Sequence, residues 1–80
     1  MNKEIEDFYK KIGFNVKKKR IQKGYSQLEL ALEIGIKSVA FYSNCENVRY
    51  GKHFNLEHLY KLSKVLNIDI CEFFEDIKDK

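Results

Sequence analysis

The histidines and cysteines, frequent carriers of acid–base, nucleophilic and metal chemistry, are here His53, His58, Cys45 and Cys71. Their order and gaps fit no zinc pattern, and no Cys or Asp stands at ligand spacing around either histidine. There is no Gly-rich phosphate loop and no nucleophile motif, and 80 residues leave little room for a large pocket. The expectation is a protein that is not an enzyme and takes neither cofactor nor metal. Hydrogen-bonding and cationic side chains are better placed. Gln27, Lys37, Ser38, Asn44, Arg49 and Lys52 follow one another through the middle of the chain. An Asn amide matches the edge of adenine, and Lys, Arg and Ser bond phosphate oxygens.

The charge distribution points the same way. Residues 9–52 carry ten Lys/Arg and three acids, a net of +7, whereas residues 1–8 and 53–80 are each net −2. A basic middle between acidic ends fits one phosphate-facing surface. No stretch approaches the roughly 18 apolar residues of a membrane span, and Met1 to Lys11 is too charged for a signal peptide. These features predict a cytoplasmic protein with reduced thiols and no membrane partner.

Positioning those side chains requires helices. The chain has no proline and four glycines. Ile5, Phe8, Ile12 and Val16 share one stripe and predict a first helix over residues 4–23, with residues 1–8 a helix extension or an arm. Gly13 costs that helix about 1 kcal/mol relative to Ala and suggests that another backbone comes close. Lys17, Lys18, Lys19, Arg20 and Lys23 crowd its end, and Gly24 closes it. Ser26-Gln27-Leu28-Glu29 is a capping box, with Tyr25 and Leu30 at staple spacing; Leu28, Leu30, Ala31, Leu32 and Ile34 are its apolar positions, and Gly35 ends this second helix. Ser38 caps a third. Asn47 to Phe54 is a loop, Asn55 caps a fourth helix to about Leu66, and Asp69-x-x-Glu72 resembles a capping box for a fifth, Ile70 to about Ile77. The reading is one all-α domain of five helices over residues 1–80, with a core at 12–74 and a frayed tail at 78–80.

Two short helices joined by a tight Gly-containing turn form the helix-turn-helix layout, whose second helix enters a DNA major groove. In the third helix, Val39, Tyr42 and Cys45 give one inward stripe, and Phe41 with Cys45 gives a competing one. The first phase turns Ala40, Phe41, Ser43 and Asn44 outward or sideways; the second buries Phe41 and exposes Tyr42. Gln27, in the first turn after its cap, suits a phosphate. Asn44 can read adenine, and Phe41 or Ala40 can pack on a thymine methyl. Lys37 and Ser38 stand at the mouth of the helix, and Arg49, Tyr50 and Lys52 follow over the backbone, with Lys17 among the basic residues of the first helix. Arg20 and Glu46 could form a bidentate pair fixing the angle between their helices.

Residues 12–74 resemble the phage-repressor and Cro-type (XRE) helix-turn-helix family. The resemblance is carried by Val16-Lys17-Lys18-Lys19-Arg20-Ile21-Gln22-Lys23-Gly24, by Ser26-Gln27-Leu28-Glu29-Leu30-Ala31 with Gly35, by Glu46 and Leu56-Glu57-His58-Leu59, and by Leu66 with Ile70-Cys71-Glu72-Phe73-Phe74. It implies a five-helix domain that binds operators as a dimer, with Gln27 on phosphate and Arg20 paired to Glu46. Compared with the family, Gly35 to Glu46 is one residue longer and the following loop about two, and Lys19 replaces an apolar residue. Alignment backward from Glu46 puts Tyr42 and Cys45 inside, favouring the first phase.

The expected function is a sequence-specific regulator of transcription, a dimeric repressor on a double-stranded DNA operator, with Ile70, Phe73, Phe74 and Ile77 as the candidate dimer surface. Two alternatives remain: an antitoxin or restriction-modification controller that autoregulates its operon, and a protein-interaction module without DNA.

Overall fold

The computed structural model describes residues 1–77, so the tail at 78–80 lies outside the described residues. Among the described residues the protein has four α-helices and one 3-10 helix, with no strand: α1 (Lys3–Gln22), α2 (Gln27–Glu33), α3 (Val39–Asn47), α4 (Leu56–Leu66), then Ile70–Phe74. No described helix is long and apolar enough to cross a membrane.

Each α-helix begins at a side chain that takes an orphan backbone donor. Asn2 Oδ1 accepts from Ile5 N–H at 2.9 Å, so the chain is helical from Lys3 and residues 3–8 extend α1 rather than form an arm. The Ser26–Glu29 box closes in both directions, at 3.0 and 2.8 Å. Ser38 Oγ accepts from Phe41 N–H. Asn55 and His58 form a second reciprocal box, which the sequence did not announce because His stands where Glu or Gln is usual.

The core is built from Ile12 and Val16 of α1, Leu30 and Ala31 of α2, Tyr42 and Cys45 of α3, and Leu59, Leu62 and Leu66 of α4, with Ile34, Ile36, Phe54 and Phe73 between them. Leu28, Leu32, Ile5 and Phe8, read as apolar positions of their helices, stay exposed. Gly13 is where α1 meets α3: a Cβ there would collide with the backbone carbonyl of Glu46.

The fifth element departs from expectation. It is a 3-10 helix of five residues and stops at Phe74, not an α-helix to Ile77. The reason lies in its side chains. Asp69 Oδ1 caps Cys71 N–H at 2.8 Å, but Glu72 does not reach back to complete a box, because its carboxylate bonds Lys19 Nζ at 2.8 Å. Buried Asn15 then donates to the carbonyls of Phe73 and Glu75, at 3.0 and 2.8 Å, diverting both from helical bonding. Lys19 thereby ties α1 to this last turn.

Candidate nucleic-acid interface

Glu46 is the joint of the helix-turn-helix. Its residue is 3 % exposed, and its carboxylate accepts four hydrogen bonds. Arg20 Nε and Nη2 reach Oε2 and Oε1 at 3.0 and 3.1 Å, the bidentate fork expected. Tyr42 Oη donates to Oε2 at 2.9 Å, and Gln27 Nε2 donates to Oε1 at 3.1 Å. Arg20 Nη1 also holds the Tyr25 carbonyl at 3.0 Å. The end of α1, the turn after it, the first turn of α2 and the last turn of α3 therefore meet at one ion pair of zero net charge, whose carboxylate accepts four bonds. Burial pushes the Tyr42 phenol up, and the neighbouring Glu46 charge adds to the shift, so the hydroxyl stays a donor. A buried pair of this kind adds little net stability, but it fixes orientation because losing either partner strands a charge.

This network settles the phase of α3. Tyr42 is buried and Phe41 only half-buried, with its ring edge-on to His58 at 6.4 Å between centroids. Val39, read as part of the inward stripe, is exposed beside the cap. With Tyr42 inward, helical periodicity turns Ala40, Asn44 and Asn47 outward, with Ser43 to one side. Ala40 and Asn47 are exposed, and Asn44 and Ser43 are half-buried. Asn47 had not been read as a site residue; its place three residues after Asn44 was the available signal. Its amide donates to the Ser43 carbonyl at 2.9 Å.

The remaining candidates fall as follows. Lys37 and Ser38 are exposed ahead of α3, although the Ser38 hydroxyl is engaged as the cap. Arg49, Tyr50 and Lys52 are exposed in the loop after it, and Lys17 is exposed on α1. Val48 and Tyr50 have φ of 54° and 56°, a left-handed conformation that non-glycine residues rarely adopt, and Val48 is nonetheless buried. Burial of the Val48 side chain thus closes α3 where glycine is usual. Gln27 is half-buried on Glu46, which uses one of its two amide hydrogens and leaves the other, with the oxygen, for a partner.

One group of candidates needs correction. Phe73 is fully buried in its own chain's core, and Ile70 and Ile77 pack against that core half-buried. Of the four proposed dimer residues only Phe74 is exposed. The error came from reading an α-helical stripe across a segment that forms a 3-10 turn.

The thiols are unconnected: Cys45 is buried, which pushes it up to about 11, and Cys71 is exposed. Among the described residues no three His, Cys, Asp or Glu side chains gather to hold a metal.

A family model described as helix-turn-helix matches residues 16–73, most of the chain. A search of curated proteins with the chain finds no match.

Proposed function

Because the chain belongs to the Cro/C1-type (XRE) helix-turn-helix family, we propose that it is a sequence-specific transcriptional regulator, a dimeric repressor that acts in the cytoplasm on a double-stranded operator. The observation that carries this reading is the Glu46 joint, which holds α2 and α3 at a fixed angle while leaving the Ala40–Asn44–Asn47 face uncovered. A rigid helix with small and amide side chains outward, flanked by exposed Lys37, Arg49 and Lys52, suits a major groove between two phosphate rows. In this reading Asn44 bonds a base edge, Ala40 and Phe41 pack on thymine methyls, and Gln27, Lys37, Ser38, Arg49, Tyr50, Lys52 and Lys17 set the register on the backbone.

Mobility shifts on the DNA upstream of its own gene test the assignment. Gln27→Ala weakens binding to every fragment, whereas Asn44→Ala lowers preference for the specific site by about 1–3 kcal/mol and leaves non-specific binding in place. Unchanged discrimination among site variants by Asn44→Ala would remove α3 from base reading.

A further inference from the structure

The solvent face of α1 carries a short heptad repeat. Lys10-Lys11-Ile12-Gly13-Phe14 is followed by Lys17-Lys18-Lys19-Arg20-Ile21, so each time two lysines precede an apolar residue by one turn. Ile12, Gly13, Asn15 and Val16 are buried around Phe14, yet Phe14 is 54 % exposed and Ile21 58 %. Residues one heptad apart return to within about 20° on a helix. Phe14 and Ile21 therefore form one stripe, opposite the Ile12 and Val16 face that enters the core. Helical periodicity sets Lys10 and Lys17 along one flank and Lys11 and Lys18 along the other. Lys11 Nζ lies 5.0 Å from the centroid of the Phe14 ring. The nearby acids are engaged elsewhere: Asp7 by Lys3, and Glu72 and Glu75 by Lys19. A single exposed Phe needs no explanation. A solvated face, however, gains nothing from spacing its apolar residues by one heptad between two rows of lysine.

We propose that this face of α1 docks an acidic amphipathic helix of a different protein. The heptad spacing selects a helix, whose own apolar side chains recur at the same interval and can pack between Phe14 and Ile21. The lysine rows select its charge, because their stems can lie along the partner while the ammonium groups meet Glu or Asp on both sides of its apolar stripe. The same charge argues against a second copy on this face, which would set lysine against lysine. A lipid surface is also a poor match. Helices that lie in a membrane bury a broad apolar face, and the broad apolar face of α1 is committed to the core. A nucleic acid would use the lysines but leave Phe14 and Ile21 in water. The contact of α1 with α3 runs through Gly13, on a different face from the stripe, so docking does not require α3 to move. The proposal stands apart from the DNA reading; Lys17, placed on phosphate there, is left unchanged in the variants below.

Fluorescence anisotropy with a labelled synthetic peptide, in the absence of DNA, tests the proposal. The peptide is a helix of a few heptads with one Leu per heptad, Glu on both sides of it and Ala elsewhere. One control scrambles its order at constant composition, and another replaces Glu by Lys. Wild type is expected to bind the heptad peptide saturably and to bind neither control. Phe14 and Ile21 face solvent and Ala is the best helix former, so Phe14→Ala and Ile21→Ala keep the fold, with an unchanged helical spectrum. Each is expected to weaken binding by about tenfold. The double variant Lys11→Gln, Lys18→Gln is expected to weaken it and to flatten its dependence on salt. Leu28→Ala, at an exposed apolar residue of α2, is expected to bind as wild type does. No saturable binding by wild type at about 1 mM peptide overturns the proposal. Equal affinity for the scrambled control, or full affinity in Phe14→Ala and Ile21→Ala, does the same. So does binding to anionic phospholipid vesicles through Phe14 and Ile21 in place of the peptide.

Discussion

Single side chains set the protein's response to pH. His58 Nδ1 accepts a hydrogen bond from Asn55 N–H at 3.1 Å, which requires that nitrogen to be unprotonated. Its ring also packs edge-on to Phe54 and Phe41. Burial, opposed by Glu57 and aided by Lys61 and His53, holds its pKa below the ordinary 6.5. The folded state therefore binds this proton more weakly than the unfolded chain. The stability from the neutral cap is complete above pH 6.5 and is lost as pH falls from there through the lower folded-state value. Thermal midpoints measured from neutral pH down to about pH 5 are expected to fall less steeply in His58→Gln, which keeps an acceptor in the box without titrating. Identical slopes in the two proteins would mean that the ring does not act as a cap. The Glu46 joint belongs to the same scale. Arg20 and Gln27 lie 26 and 19 residues away in sequence, so no local pattern pairs them with Glu46; a charge pairing between packed helices and the family resemblance both pointed to Arg20, and nothing anticipated Gln27 or Tyr42.

At the scale of helices, the contact between α1 and α3 decides whether α3 can sit where it does. An Ala in place of a mid-helix Gly ordinarily stabilises a helix by about 1 kcal/mol. Here the added Cβ would strike the Glu46 carbonyl, and backbone cannot swing aside as a side chain can. Gly13→Ala is therefore expected to destabilise the protein, by about 1–3 kcal/mol, a cost typical of overpacking, in urea unfolding. A stabilised variant would mean that α1 and α3 are further apart than described. The same element scale shows why part of the fold was legible in advance. The starts of α2, α3 and α4 were readable because Ser26, Ser38 and Asn55 act on donors only three residues away. The last element was misread because its conformation is set from a distance: Lys19 takes Glu72 and Asn15 takes the Phe73 and Glu75 carbonyls. In α3, spacing left two phases open, and Tyr42 bonding Glu46 from within the core selected one.

For the whole molecule, charge and dimensions must serve DNA together. In the proposed dimer, exposed Lys17, Lys37, Arg49 and Lys52 would offer eight cations to phosphate, within the range for which affinity falls about 10³–10⁵-fold between roughly 50 and 200 mM salt. A filter-binding titration across that range is expected to show this steep decline, and a flat response would exclude a phosphate-facing surface. The described residues measure 34 × 26 × 20 Å, so in the proposed dimer two copies side by side would bring their third helices to the scale of one DNA turn, about 34 Å. The most direct measurement of the central claim is selection of the protein on a pool of random duplexes, followed by sequencing of those retained. The expected result is a two-fold symmetric site with half-sites centred about one turn apart, whose preference Asn44→Ala relaxes at one symmetric pair of positions. A retained pool indistinguishable from the input, at low as at moderate salt, would contradict it.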